Sequence, residues 1–386
     1  DSLGNKINSM LLAEELDVPL VKWSGETPLS NEEAVVAAAA RVEFPCVLKD
    51  ADGGGGKGIR IVRTMDEVCP AFRQIVTEMK RAPGEACIFV MELMENCRHI
   101  EIQIAGDGKN AMHFYGRDCT TQRRNQKLIE EAPITVAPPD VVKWCEDSAV
   151  RMAKHVGYKG LGTAEFLYSP ETGKATFLEI NPRLQVEHIV TELLLDVNLP
   201  VLLYRTTCKG DRLTDILPNG VSPPTRHVMA ARLNAEAPDD DFKPSLGSIG
   251  TIRIPNIPHS WSYVSVFNGG RILGSVDSQF GHLFTVGNDR AEACRRMSTL
   301  IDQSDIVGEV STTLPFIRQI IKSATFSGNE HTTLWVRSDM FKTGSISRRN
   351  DESIHTGLAD MYNIPAAFVP GHYRWLFGLF AQGWWK

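Results

Sequence analysis

Apolar and polar positions alternate most clearly over residues 162–188, GTAEFLYSPETGKATFLEINPRLQVEH. Residues 164–168 and 175–180 are short runs of apolar, aromatic and β-branched side chains. Between them, 169–174 carries the Pro, Gly and Thr of a turn, so the pattern predicts an antiparallel hairpin. With the turn centred near Thr172, Glu165 falls opposite Glu179. Period-2 alternation puts Asn181 and Arg183 on the face of Glu179, and Gln185 and Glu187 follow if the chain stays extended past Pro182.

The same reading extends in both directions. Helical spacing of Ile7, Met10, Leu11 and Ala13 predicts a helix over 6–16, followed by a short strand at 20–23. Ser30 and Glu33 form a capping box for a helix running to about Val42. Strands are expected at 46–49, 59–63 and 88–92, and Thr64 with Glu67 caps a helix to about Lys80. Residues 99–105 and 111–117 read as a hairpin around Asp107 and Gly108. A helix over 141–156 follows Pro138 and Pro139, and 191–203 is apolar and helical. After the turn-rich 218–224, short strands at 227–233, 249–254, 263–267, 272–273 and 283–286 predict one small antiparallel sheet. Helices at 289–300 and 312–323 would pack on it, making a second α+β module. The fold class is α+β. Three regions are expected: 1–225, 226–337, and a tail at 338–386. The tail is polar and then ends in an apolar run too short to span a bilayer, and it reads as unstructured rather than as an interfacial anchor.

Composition narrows the function classes. The chain has 386 residues, 42% hydrophobic and 23% charged, which suits two or three soluble domains. A net charge of −6 leaves no basic surplus for general nucleic-acid binding. The eight cysteines are scattered without metal-ligand spacing, the pattern of reduced thiols in an intracellular compartment. The chain begins at Asp1 without Met, so it is expected to be a fragment, and the lack of a recognisable signal in it carries no weight.

Candidate chemistry starts with the hairpin. Two carboxylates at ~4.5 Å repel by about 3–4 kcal/mol at an effective dielectric of ~20, and like charges opposite one another destabilise a sheet. The pair asks for a cation or a shared proton, and Glu165, Glu179 and Asn181 offer the oxygen ligands that suit Mg²⁺ or Mn²⁺. A solvated strand pair whose glutamates never meet is the plain alternative. Residues 52–58, DGGGGKG, formally contain GxGxxG but lead into a strand, so the dinucleotide motif fails its context, and a Walker loop fails at Ala51 and Gly58. What remains is a glycine-rich flap whose N–H groups close over phosphate with Lys57, or a surface loop. His99, Glu101 and Gln103 share one strand face, an exposed one or a functional one. Arg123, Arg124 and Lys127 lie in a charge run that, alone, is a solvated surface.

Taken in order, GGGGKGIR, RHIEIQI, RDCTTQRRNQKLIEEAP, GTAEFLY and FLEINPRLQVEH resemble the biotin carboxylase component of biotin-dependent carboxylases, which has the ATP-grasp fold. The resemblance runs from about Lys6 to Val336. DVNLP (196–200) and DSQFGH (277–282) look most like eukaryotic multidomain acetyl-CoA carboxylase. The resemblance implies ATP- and bicarbonate-dependent carboxylation of biotin through carboxyphosphate, by an ATP-dependent ligase. It implies that Lys6 and Lys49 hold ATP phosphates under a lid at 53–58 (Gly54, Gly55, Gly56 and Lys57 among them). Glu92 would meet the adenine, and His99, Glu101 and Gln122 the ribose and phosphates. Glu165, Glu179 and Asn181 would carry Mg²⁺ or Mn²⁺. Lys127, Arg183, Gln185 and the Val186 amide would hold bicarbonate. Glu187 would be the general base, and Arg232 would stabilise the biotin enolate. A separate carrier domain would present biotin, with a carboxyltransferase domain of the same polypeptide as further partner and a homodimer possible. A cytoplasmic location is expected, with plastid or mitochondrion as alternatives.

Three departures from the family pattern stand out. Asn125 replaces a histidine in QRRNQK, the connection between 23–25 and the Ser30 helix is short, and the subdomain that precedes the Lys6 helix is absent. Three alternatives stay open: the biotin carboxylase module of another acyl-CoA or pyruvate carboxylase, another ATP-grasp ligase of the carbamoyl-phosphate synthase type, and a catalytically impaired regulatory domain that keeps the fold.

Overall fold

The computed structural model describes residues 4–53, 58–80, 86–123, 126–275 and 277–336. Gly54, Gly55, Gly56, Lys57, Arg124, Asn125 and the tail expected at 338–386 lie outside the described residues. The chain opens with α1 (Lys6–Glu15), capped by the Asn5 side chain, and α2 (Glu32–Val42). Asn31, not Ser30, caps α2 by accepting from the Ala34 N–H at 2.9 Å. The strand expected at 20–23 is absent; isolated bridges join Leu20 to Phe177 and Trp23 to Met91 instead.

A three-stranded antiparallel sheet follows, with β1 (Cys46–Asp50) between β2 (Ile59–Val62) and β3 (Ile88–Glu92). Gly58, where the chain turns into β2, has φ +67°, and a Cβ there would meet the Asp50 Cβ at 3.0 Å. That conformation suits glycine. A 3-10 turn at Met65–Glu67 precedes α3 (Val68–Glu78), which packs with α2 on one face of this sheet through Val35, Ala38, Phe72 and Ile75. Thr64 makes no capping hydrogen bond.

The second sheet organises the rest. In chain order come β4 (Arg98–Asp107), β5 (Ala111–Asp118), the two-residue strands β6 (Gln122–Arg123) and β7 (Gln126–Lys127), and β8 (Ile129–Ala132). Next are α4 (Pro139–His155), β9 (Lys159–Ser169), β10 (Lys174–Asn181), α5 (His188–Leu195), α6 (Leu199–Tyr204) and α7 (Leu213–Ile216). The helix expected over 191–203 is thus two helices, broken where Asp196 takes a left-handed conformation (φ +57°). Then follow β11 (His227–Asn234), β12 (Glu236–Ala237), β13 (Lys243–Pro244), β14 (Gly247–Arg253), β15 (Ser260–Val264), β16 (Arg271–Ile272) and β17 (Gln279–Gly287). The described chain closes with α8 (Arg290–Asp302), β18 (Asp305–Gly308), α9 (Leu314–Lys322) and α10 (Ala324–Ser327).

Eight of these strands form one sheet in the order β10-β9-β4-β5-β8-β11-β17-β15. The single small sheet expected after 226 is therefore not what forms. Strands β11, β15 and β17 join the large sheet, while β14 pairs with β16 and β18 apart from it. The reason lies in β11, whose two faces are both buried. Met229, Ala231 and Leu233 pack under α8 and α9, and Val228 and Ala230 pack against α5, so the strand sits between partners on both edges. On the other half of the sheet, α4 covers Ile100, Ile102, Ala164, Phe166 and Phe177. No helix among the described residues is long and apolar enough to cross a membrane.

Candidate active site

Four neighbouring strands set a row of charged residues across the large sheet. Glu179 on β10 pairs with Glu165 on β9, Glu165 with Glu101 on β4, and Glu101 with Arg117 on β5. A row of three carboxylates is unfavourable by itself, and cations answer it. Arg117 is fully buried and donates from Nε to Glu101 Oε1 at 2.6 Å. Its terminal nitrogens donate to Gln103 at 2.8 Å, Thr191 at 2.7 Å and Thr163 at 3.3 Å. The ammonium of Lys127 donates to Glu101 Oε2, to Glu165 Oε1 at 3.1 Å and to Glu187 Oε1 at 2.6 Å.

These groups set each other's protonation. Burial alone would lower the Lys127 pKa, but the three carboxylates around it hold it well above the usual lysine range. Burial works to raise the carboxyls of Glu165 and Glu187. Lys127 and His99 outweigh it at Glu165, and Lys127, Arg232 and Arg117 outweigh it at Glu187, so both stay ionised well below the usual range.

The turn after β10 brings in the remaining groups. The chain does not stay extended past Pro182: Arg183 N–H bonds back to Asn181 O at 2.9 Å, and Glu187 takes the cap position of α5 with φ −78° and ψ 3°. A turn, rather than strand alternation, therefore carries Gln185 and Glu187 to the row. Gln185 Nε2 donates to Glu165 Oε1 at 3.3 Å, and Asn181 Nδ2 donates to Glu165 at 3.1 Å and Glu179 at 3.2 Å. From β11, Arg232 donates through Nη2 to Glu187 Oε2 at 2.9 Å and through Nε to Glu130. Gln122 Nε2 donates to His99 Nδ1 at 2.7 Å, and His99 Nε2 lies 3.0 Å from Glu165 Oε2.

A cavity of about 200 Å³ opens on this assembly. Of the residues expected from sequence, His99, Lys127, Glu165, Glu179, Asn181, Arg183, Gln185, Val186, Glu187 and Arg232 line it. Glu101 and Gln122 touch it through Lys127 and His99. Lys6, Lys49 and Glu92 are not on its wall. Lys49 is buried in β1, where burial lowers its pKa against the pull of Glu179 and Glu165, and Lys6 donates to the Gly53 carbonyl. Glu92 stands exposed at the end of β3, its carboxylate 3.4 Å from the Lys22 N–H. Glu165 and Glu179 converge on one donor, the Asn181 amide nitrogen; with that amide turned over to present its oxygen, the three residues would offer an all-oxygen set that fits Mg²⁺ or Mn²⁺.

Several partners were not foreseen. Arg117 was hidden by a bulge between Ile102 and Ile104. Counting from the turn, where Gly106 pairs with Ala111, puts Arg117 opposite Ile100; the bulge moves it to Glu101. Glu130 with Arg232 and His282, Glu131 with His227 and Arg290, and Arg123 with Glu236 are buried ion pairs that no local pattern marks. Arg123, Gln126, Asn234, Asp277 and Gln279 complete the cavity wall.

An ATP-grasp sheet pair with a lysine shared among carboxylates defines the class, and comparison with known proteins agrees. Residues 5–213 match the family model of the carbamoyl-phosphate synthase L chain, ATP binding domain, and residues 230–338 that of the biotin carboxylase C-terminal domain. The biotin carboxylase domain of Hydrogenobacter thermophilus 2-oxoglutarate carboxylase, solved with MgADP, ADP and bicarbonate, superimposes with a TM-score of 0.80 and 32% identity. That match covers 87% of this chain and 73% of that one. The biotin carboxylase of Campylobacter jejuni, solved with an ATP complex, gives a TM-score of 0.78 at 29% identity, covering 87% and 74% of the two chains. The chain belongs to the biotin carboxylase family, whose members are ATP-dependent ligases. Among curated relatives, mitochondrial acetyl-CoA carboxylase of Saccharomyces cerevisiae is 35% identical over 92% of this chain, which spans 17% of that protein's length. Acetyl-CoA carboxylase 2 of Oryza sativa is 37% identical over 87% of this chain and 16% of its own length.

Proposed function

We propose that the chain carries out the first half-reaction of an acetyl-CoA carboxylase, ATP- and bicarbonate-dependent carboxylation of biotin, on the way to malonyl-CoA and fatty acids. The observation that carries this reading is the Lys127 ammonium shared by Glu101, Glu165 and Glu187, with Arg232 on the far side of Glu187. It offers a cationic seat for a small anion directly beside an ionised carboxylate.

In this reading Lys6 and Lys49 hold the ATP phosphates beneath the 53–58 lid, Glu92 meets the adenine, and His99, Glu101 and Gln122 face ribose and phosphate. Glu165, Glu179 and Asn181 hold Mg²⁺ or Mn²⁺, which when bound neutralises phosphate charge. Lys127, Arg183, Gln185 and the Val186 amide hold bicarbonate. Glu187 removes its proton, the resulting dianion attacks the γ-phosphorus, and ADP leaves as carboxyphosphate forms. A low pKa does not disqualify Glu187, since a base held within hydrogen-bond reach acts as the proton is lost in the transition state. Carboxyphosphate then splits into CO₂ and inorganic phosphate, the phosphate takes the N1 proton of biotin, and N1 of the resulting enolate, stabilised by Arg232, bonds to the CO₂ carbon. The ATP-grasp part would end near 225, and the part at 226–337 supplies Arg232. That second part supports biotin, rather than a carbamoyl-phosphate-type acceptor, as substrate.

Biotin would come on a carrier domain, and a carboxyltransferase domain of the same large polypeptide would take the product, as the length of the relatives suggests. Self-association is supported by the dimer in the Hydrogenobacter structure. For compartment, the cytoplasm is proposed, with the mitochondrion supported by the yeast relative's name. The test is ATP cleavage by the full chain. It should require bicarbonate and rise with free biotin; cleavage indifferent to both would overturn the reading.

A further inference from the structure

Asn234 ends β11 on the cavity wall, two residues beyond Arg232 and on the same side of the strand. Pairing with β17 slips one register between Leu233 and Asn234, the kind of bulge that re-aims a side chain. The residue is 4% exposed, and its Oδ1 is withdrawn from water with no donor. The amide orientation is fixed by its neighbours. Ser278 has one hydroxyl proton and gives it to the Glu236 carboxylate, so its oxygen accepts from Asn234 Nδ2 at 3.2 Å. Oδ1 is therefore the end left without a partner. A buried acceptor without a partner is unfavourable, and here it stands on the wall of a binding cavity. Asp277, also on that wall, is by contrast exposed to solvent.

The same cavity wall carries a donor. The Arg232 guanidinium gives Nε to Glu130 and one Nη2 proton to Glu187, and its contact with Gln279 is long at 3.4 Å. A guanidinium has five N–H groups, so donors remain for a ligand carbonyl. A donor with protons to spare and an acceptor without a partner, on the wall of one cavity, are complementary to a carbonyl flanked by an N–H, the edge of a cyclic urea.

We propose that Asn234 is a specificity-determining residue. Its Oδ1 accepts the N–H of the biotin ureido nitrogen that is not carboxylated, while Arg232 binds the ureido oxygen. This rests on the biotin reading above and adds which edge of the ring is read. A site that hydrogen-bonds an N–H rejects analogues lacking it, because the protein group is then left unpaired.

The test compares biotin with biotin methylated on that nitrogen, by equilibrium binding in the presence of MgADP and bicarbonate and by stimulated ATP cleavage. The unmutated full chain should lose about tenfold in affinity for the methylated compound, the share of one neutral hydrogen bond. Asn234→Ala, and Asn234→Leu as a filler of similar shape, should bind biotin about tenfold more weakly and no longer distinguish the two compounds. KM for MgATP and bicarbonate should move less than KM for biotin. Equal binding of the two compounds by the unmutated chain overturns the proposal without any mutant. So does a variant that weakens biotin but keeps the tenfold discrimination. If biotin binds with that discrimination yet stimulates no ATP cleavage, the Asn234 contact stands and the catalytic reading fails. If biotin does not bind at all, both fall.

Discussion

Glu101 and Glu165 are cross-strand partners on β4 and β9, both buried, and both accept from the single ammonium of Lys127. Neither carboxylate has water to fall back on, and Lys127 is a cation that both share. Lys127→Met keeps the bulk of the stem and removes the charge. It should lower unfolding free energy by about 3–5 kcal/mol, the scale for stripping one partner from a buried ion cluster, and abolish turnover. Denaturant titration with and without MgADP measures the first part. A loss under about 1 kcal/mol would mean that Arg117 and His99 suffice to hold the row.

Glu187→Gln keeps the shape of the side chain and removes its ability to take a proton. Biotin-dependent turnover should vanish while MgATP binding, measured by calorimetry, changes by less than about threefold, a small shift on the free-energy scale. Parallel loss of both would show that Glu187 organises the pocket and is not the base.

Glu179→Gln leaves Glu165 as the only carboxylate, among the described residues, that accepts from the Asn181 amide. The Mg²⁺ concentration for half-maximal activity should rise by about tenfold or more. A metal titration that overlays the unmutated one would remove Glu179 from the metal site.

Glu146, on the inner face of α4, gives a pH signature far from the site. Burial pushes its carboxyl up to about 7 from 4.5, Lys143 pulling slightly down and Asp147 adding to the rise. Here the folded state holds the proton more tightly than the unfolded one. The contribution of Glu146 to stability is then greatest below pH 4.5, falls as pH rises from 4.5 to about 7, and is level above that. Glu146→Gln should be more stable than the unmutated chain at pH 8 by about 1–2 kcal/mol, allowing for partial solvent screening. The gap should close by pH 4. Thermal melts across that range measure it, and a constant difference would assign the effect to packing.

Much of the hairpin was readable because turn residues and β-branched runs are local signals. Register was less so. At the tip, Lys174 pairs with Ser169 and Phe177 with Phe166, a register that would set Glu179 against Ala164; a bulge after Phe177 brings Glu165 and Glu179 face to face. Centring the turn on Thr172 reached the right pair without knowledge of that bulge. A similar slip in the neighbouring hairpin concealed Arg117. Caps were legible in type but not in position, since Ser30 and Asn31 are adjacent candidates and backbone geometry chose Asn31. Least legible were long-range partners. Glu130 and Glu131 look like surface charges in LIEEA, and their partners Arg232, His282, His227 and Arg290 arrive from about a hundred residues or more downstream, where no periodicity connects them.

Those same long-range pairs bear on synthesis. When residues 1–225 have left the ribosome, β8 has no β11 beside it, and neither Glu130 nor Glu131 has met its basic partners. The nascent chain must then wait, one sheet edge open and two acidic groups unanswered, until Arg290 emerges. That interval is where a chaperone would be needed, and where a premature stop codon would leave an aggregating product instead of a smaller working enzyme.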